Sequence, residues 1–180
     1  MYAILKEAGI VSYYTLIKAG DDEDDIITDF PSRQFNHAIL CVPVEKDTLW
    51  LECTDQTRSP GYMGGFTGNR HALVVTEAGG RLVKTKEYGV NENLQSRYSK
   101  AVLSGDAALS LKVHTVYTAM QQDDLQYWLN SLSKDKMKEH LHERFDLPTY
   151  SVSAFDFKEH KGILPSIDEM LDISVSNYAT

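Results

Sequence analysis

The segment from Phe35 to Thr54 constrains the fold more than any other. Apolar and polar residues alternate through Phe35-Asn-His-Ala-Ile-Leu-Cys-Val-Pro-Val44, a polar Glu45-Lys46-Asp47 follows, and Thr48-Leu-Trp-Leu-Glu-Cys-Thr54 alternates again. A period of two is the signature of a half-buried strand, and two such runs around a short polar break predict a β-hairpin. Alternation assigns Ala38, Leu40, Val42, Val44, Leu49, Leu51 and Cys53 to a core face, and His37, Ile39, Cys41, Thr48, Trp50, Glu52 and Thr54 to the other. A two-residue loop at Glu45-Lys46 pairs position 44 with 47 and therefore 37 with 54. Glu52 then lies on the diagonal from His37, a separation that long side chains close.

Around this hairpin the sequence predicts an α+β fold. Met1 to Ala8 reads as a helix ending at Gly9, and Ile10 to Ile17 as a strand. The carboxylate run Asp21 to Asp25 lacks the alternating ligands, central Gly and terminal Glu of a calcium loop, and is expected to be a solvated loop. Ser59 to Arg70 is glycine-rich without the spacing of a P-loop or a dinucleotide fingerprint, and reads as a loop bordering the site. His71-Thr76 and Arg81-Thr85 flank Glu77-Ala-Gly-Gly80 as a second hairpin. Polar Lys86 to Arg97 reads as a linker. Strands are then expected at Tyr98–Leu103, Ala108–Thr118, Tyr150–Phe157 and Asp168–Tyr178, and helices at Gln121–Leu132 and Ser133–Phe145, the second opened by a Ser N-cap. The expected organisation is one domain over residues 1–97 and a second, β-rich one over 98–180.

Charge and cysteine content narrow the function classes. With 18 Lys+Arg against 26 Asp+Glu the net charge is −8, which disfavours a partner held by phosphates, so no nucleic acid is expected. No apolar run is long enough for a membrane span, and no basic-then-apolar leader opens the chain. Two cysteines, Cys41 and Cys53, are too few for a disulfide framework or a thiolate zinc site, and no cofactor or metal is expected.

The chemistry-bearing residues are His37 and Glu52. A carboxylate that accepts a proton from one imidazole nitrogen fixes the tautomer and leaves the other nitrogen free to act on a nucleophile. A half-exposed His making a single hydrogen bond satisfies the same pattern. Asp55 is a rival partner for His37, but strand parity places it on the opposite face. In the second half, His140 and His142 are two apart on the expected helix, so they diverge and cannot chelate one metal, and with Glu139 and Glu143 they read as solvated surface. Tyr127, Trp128 and Leu132 read as core, and His71, His114 and His160 show no partner in the sequence.

Phe35-Asn-His-Ala-Ile39, Trp50-Leu-Glu-Cys-Thr54, the glycine-rich loop, Arg70-His-Ala-Leu-Val-Val75 and the strand ending at Thr85 together resemble the C-terminal half of a bacterial transglutaminase-like core, of the papain-like cysteine protease superfamily. The resemblance covers residues 1–85. It implies a Cys nucleophile at a helix N-terminus, His37 as its base, and Glu52 in the orienting position where the family usually carries Asp. A helix N-terminus and an imidazolium lower a thiol pKa enough to populate thiolate. Cys41 stands roughly 13 Å from His37 along one strand and Cys53 is assigned to the core face, so neither fits that role.

The resemblance therefore implies a truncated core of one helix and an antiparallel sheet, followed by a β-rich domain with one or two helices. The helix at Met1 has no N-cap and the strand pattern at Glu169–Tyr178 ends with the chain, so both ends are expected to be cuts in a longer parent. That parent is expected to perform thiol-mediated acyl transfer or amide hydrolysis on a peptide or protein, in an exported or periplasmic setting, while these 180 residues alone are inactive. The alternative is a non-catalytic module with a degenerate core that binds peptide, glycan or protein.

Overall fold

The computed structural model describes residues 1–45 and 47–179 and has an α+β architecture. It divides into two compact units, one of Met1–Gly89 with Gly162–Leu164, the other of Val90–Lys161 with Pro165–Thr180.

The first unit opens with helix α1 (Tyr2–Glu7). Gly9 stops it at φ +71°: its amide donates to the Lys6 carbonyl (3.1 Å) and that of Ile10 to the Leu5 carbonyl (2.8 Å), a Schellman closure. Five strands follow, β1 (Tyr13–Ile17), β2 (His37–Val44), β3 (Asp47–Leu51), β4 (His71–Thr76) and β5 (Gly79–Lys84), in the antiparallel order β3-β2-β1-β4-β5. Val44 pairs with Asp47 and Cys41 with Trp50, the register that alternation and a two-residue loop predict. The second hairpin turns equally tightly, with Thr76 opposite Gly79.

The buried face of this sheet is the reverse of the expected one. Cross-strand neighbours place Trp50, Cys41, Ile39, Thr15, Ile17, Val74 and Ala72 on the face that carries His37, and all seven are buried. Of the expected core set only Leu40 and Val42 are buried, while Val44 and Cys53 are exposed. Both faces are apolar, so alternation separates them without ranking them. The burial is decided by distant chain that the hairpin's own sequence does not contain.

Part of that cover is the glycine-rich segment, which contains a one-turn helix α2 (Gly64–Thr67) flanked by the buried Tyr62 and Met63. Gly68 is required at its end, since a Cβ there would lie 2.3 Å from the Gly64 carbonyl oxygen. The segment read as a linker starts inside this unit: Tyr88 is buried, and its hydroxyl accepts the Met63 amide at 3.1 Å.

The second unit is an antiparallel sheet of β6 (Gln95–Leu103), β7 (Leu109–Thr118), β9 (Ser166–Val175) and β8 (Tyr150–His160) in that spatial order. A 3-10 turn (Ala119–Gln122) leads into α3 (Asp123–Ser131), and α4 (Lys134–Glu143) follows, its N-cap Ser133 hydroxyl accepting the Lys136 amide at 3.3 Å. The core gathers Met137 and Leu141 of α4 with Val113, Val152, Leu171 and Ile173 of the sheet, and Trp128 and Leu132 pack against it. Tyr127, expected in the core, is 67% exposed. No helix among the described residues is long and apolar enough to cross a membrane.

Candidate functional site

His37 opens β2 directly opposite Ile17, and the chain ahead of it is pinned by Asn36. The Asn36 side chain accepts the Ala19 amide (2.7 Å) and donates to the Ala19 carbonyl (2.9 Å), continuing the strand pairing past the ladder's end. Glu52 follows β3 immediately. Its Oε2 lies 2.8 Å from His37 Nε2, and its Oε1 accepts both the Thr54 amide (2.9 Å) and the Thr54 hydroxyl (2.7 Å). The Glu52 side chain is 4% exposed and that of His37 16%. Phe66 of α2 stands edge-on to the imidazole at 5.4 Å between ring centres, so the glycine-rich segment does border the site.

The electrostatics follow from those contacts. Burial alone would raise the Glu52 carboxyl, but the Thr54 hydroxyl and amide, followed by His37, outweigh it and hold it below the ordinary glutamate value. Glu52 is therefore a carboxylate that can only accept, so His37 donates from Nε2–H. In the neutral ring the lone pair then resides on Nδ1, which has no hydrogen-bond partner among the described residues. This is an oriented base. Asp55, the rival partner, is engaged elsewhere: it accepts the Thr57 amide (2.8 Å) and hydroxyl (2.6 Å) and pairs with Arg58 Nε at 3.0 Å.

Neither cysteine has the character of an activated nucleophile. Cys41 is buried, and burial pushes its thiol up against the opposing field of Arg81. Cys53 is exposed rather than on the core face. Its thiol is also pushed up, by partial burial and by the neighbouring Glu52 charge, with the Met1 ammonium opposing.

Several histidines that show no partner in the sequence have one in the fold. His71 Nδ1 lies 2.7 Å from Asp25, which also accepts the His71 amide. The acidic run is exposed, as expected, but tied down: Arg70 donates to the Gly20 and Glu23 carbonyls and Lys18 pairs with Glu23 at 3.2 Å. His114 and His160 each bond one oxygen of Asp168, both at 2.6 Å. His140 and His142 are half-buried rather than solvated, the first against Trp128 at 4.1 Å and the second over Tyr150 at 6.0 Å. The fold also forms an ion pair that the sequence pattern does not show: Arg144 at the end of α4 reaches the fully buried Glu169, and Tyr117 donates its hydroxyl to the same carboxylate at 2.9 Å. Among the described residues no group of three or more His, Cys, Asp or Glu side chains is arranged to hold a metal ion.

The carboxylates of the first unit set the sign of its pH dependence. Asp25 and Asp55, like Glu52, are held below their ordinary values by the donors around them, against the opposing effect of burial. A lowered folded pKa contributes stability that is fully present above the unfolded value, near 3.8 for Asp and 4.5 for Glu, and is lost as pH falls through the folded one. In a Trp128→Phe background, where Trp50 alone reports, the urea midpoint is therefore expected to fall as pH drops below about 5. Thr54→Val is expected to shrink that fall, whereas a midpoint that rises as pH drops below about 5 contradicts the assignment.

No family model matches the chain, and neither a curated protein nor a solved structure matches it.

Proposed function

We propose that the first unit is the base-bearing part of a transglutaminase-like thiol enzyme, catalysing acyl transfer or amide hydrolysis on a peptide or protein substrate. The observation that carries this reading is the shielded His37–Glu52 contact of 2.8 Å, with Glu52 held ionised by Thr54 and the Nδ1 of His37 left unengaged. In that role His37 Nδ1 takes the proton of a thiol, the thiolate attacks the carbonyl carbon of the substrate amide, and the imidazolium returns the proton to the departing amine. Water or a second amine then attacks the thioester and restores the thiol. Glu52 holds the ring and balances its charge when it is protonated.

The thiol is assigned to residues outside these 180, because Cys41 is buried within the sheet and both thiols are pushed up rather than down. The second unit receives no catalytic role.

The test is an amine-incorporation and peptide-hydrolysis assay on the 180-residue chain and on the same protein extended upstream through a cysteine-headed helix. The expected result is no turnover by the short form, and turnover by the extended form that His37→Ala abolishes. Turnover by the short form, or turnover by the extended form that survives His37→Ala, overturns the reading.

A further inference from the structure

We propose that the free edge of β6 is a docking site for an acidic, extended segment of a partner protein, which adds to the sheet as a fifth strand. Strand β6 pairs with β7 along all nine of its residues, no strand among the described residues pairs with its other side, and every one of the nine is exposed. The exposure includes the side that should be core. Gln95, Arg97, Ser99 and Leu103 lie opposite Tyr117, Thr115, Val113 and Leu109, which are buried, so the helical cover stops at β7 and leaves β6 as a bare shelf. Tyr98, Val102 and Leu103 are 73%, 55% and 56% exposed.

The two edges of this sheet are treated differently. The β8 edge is broken by a bulge between Val152 and Ala154, where the Ser153 hydroxyl donates to the Asp172 carbonyl at 3.1 Å, a device that spoils pairing with another chain. The register of β6 has no such interruption. An unpaired, regular row of amides and carbonyls accepts an added strand through main-chain hydrogen bonds, and the side chains along it choose which strand.

Charge makes that choice. β6 carries Arg97 and Lys100 and no acid. Lys100 sits directly opposite Lys112, a like-charge pair, and it is Lys112 that holds the nearby carboxylate, Asp172, at 3.6 Å. Arg97 donates to the Thr115 and Tyr117 hydroxyls and, among the described residues, to no carboxylate. These two cations repel a basic strand and reward an acidic one. Being three apart they point to opposite faces of the sheet, so the fitting segment carries an acid on each of its faces at the same spacing. A second copy of β6 brings two more cations to the same edge and fits less well.

The probe is a fluorescein-labelled strand peptide of Thr and Val, as long as β6, with two Glu three positions apart, and a control with Lys at both places. Fluorescence anisotropy of the full chain, read with backbone amide exchange, is expected to show salt-sensitive binding of the Glu peptide that slows exchange of amides within Gln95–Leu103. Lys100→Glu relieves the clash with Lys112 and leaves the fold intact, and it is expected to weaken the Glu peptide about fivefold while favouring the Lys peptide. Absence of binding, protection confined to other strands, or equal affinity of the two peptides overturns the proposal. So does slow exchange along β6 in the unliganded chain that grows with protein concentration, which assigns the edge to a second copy.

Discussion

Glu169→Ala is expected to destabilise the second unit by about 3 kcal/mol, because it empties a fully buried carboxylate position and leaves the partly buried Arg144 guanidinium without its partner. Glu169 is fully buried in the middle of β9, where alternation calls for an apolar side chain, and its carboxylate is closed by Arg144 on one oxygen and the Tyr117 hydroxyl on the other. Burial alone would lower the Arg144 pKa, but Glu169 and Tyr117 outweigh it and raise it. The network ties the end of α4 to β7 and β9. Removing one partner is costly, whereas replacing both by apolar residues of similar volume avoids the unpaired charge. Arg144→Leu with Glu169→Met is therefore expected to recover most of the loss. The two tryptophans fall one in each unit, Trp50 and Trp128, so a Trp50→Phe background makes urea unfolding of the second unit readable by Trp128 alone. A loss below about 1 kcal/mol for Glu169→Ala contradicts the buried-pair account.

The second large effect is on turnover. In the extended, thiol-bearing protein, Glu52→Gln is expected to reduce kcat by about 10²- to 10⁴-fold with KM nearly unchanged, since a glutamine amide facing Nε2 no longer enforces the tautomer with its lone pair on Nδ1. Glu52→Asp is expected to fall between, because shortening the side chain by one methylene opens the 2.8 Å contact. Thr54→Val is expected to cost less than either, as the Thr54 amide remains to hold Oε1. Steady-state kinetics of the three variants beside His37→Ala order them. A Glu52→Gln protein as active as the parent contradicts the role given to Glu52.

What was legible in the sequence was local. The two-residue turn after Val44 and the alternation on either side set the register of β2 and β3, and that register brings His37 to Glu52 across fifteen residues of chain. Ser133 as an N-cap, Gly9 as a helix stop and the second hairpin were legible for the same reason, although that hairpin's turn is two residues and β5 takes in Gly79 and Gly80. Which face of the first sheet is buried was not, because Ile39, Cys41 and Trp50 compete with Leu40, Val42 and Leu49 on nearly equal terms. The partners of His114 and His160 were hidden because they depend on how β7, β8 and β9 align, and His114 meets Asp168 across 54 residues. The Arg144–Glu169 pair is hidden likewise, an acid in a strand pattern whose cation arrives from the end of a helix.

The central claim is that Glu52 fixes His37 as a base with its lone pair on Nδ1, and this is testable on the 180-residue chain without any nucleophile. Long-range ¹H–¹⁵N correlation of the His37 ring, at a pH where it is neutral, reports which nitrogen carries the proton. The account predicts the Nε2–H tautomer in the wild-type protein and a mixture in Glu52→Gln; a neutral ring protonated on Nδ1 in the wild-type protein contradicts it.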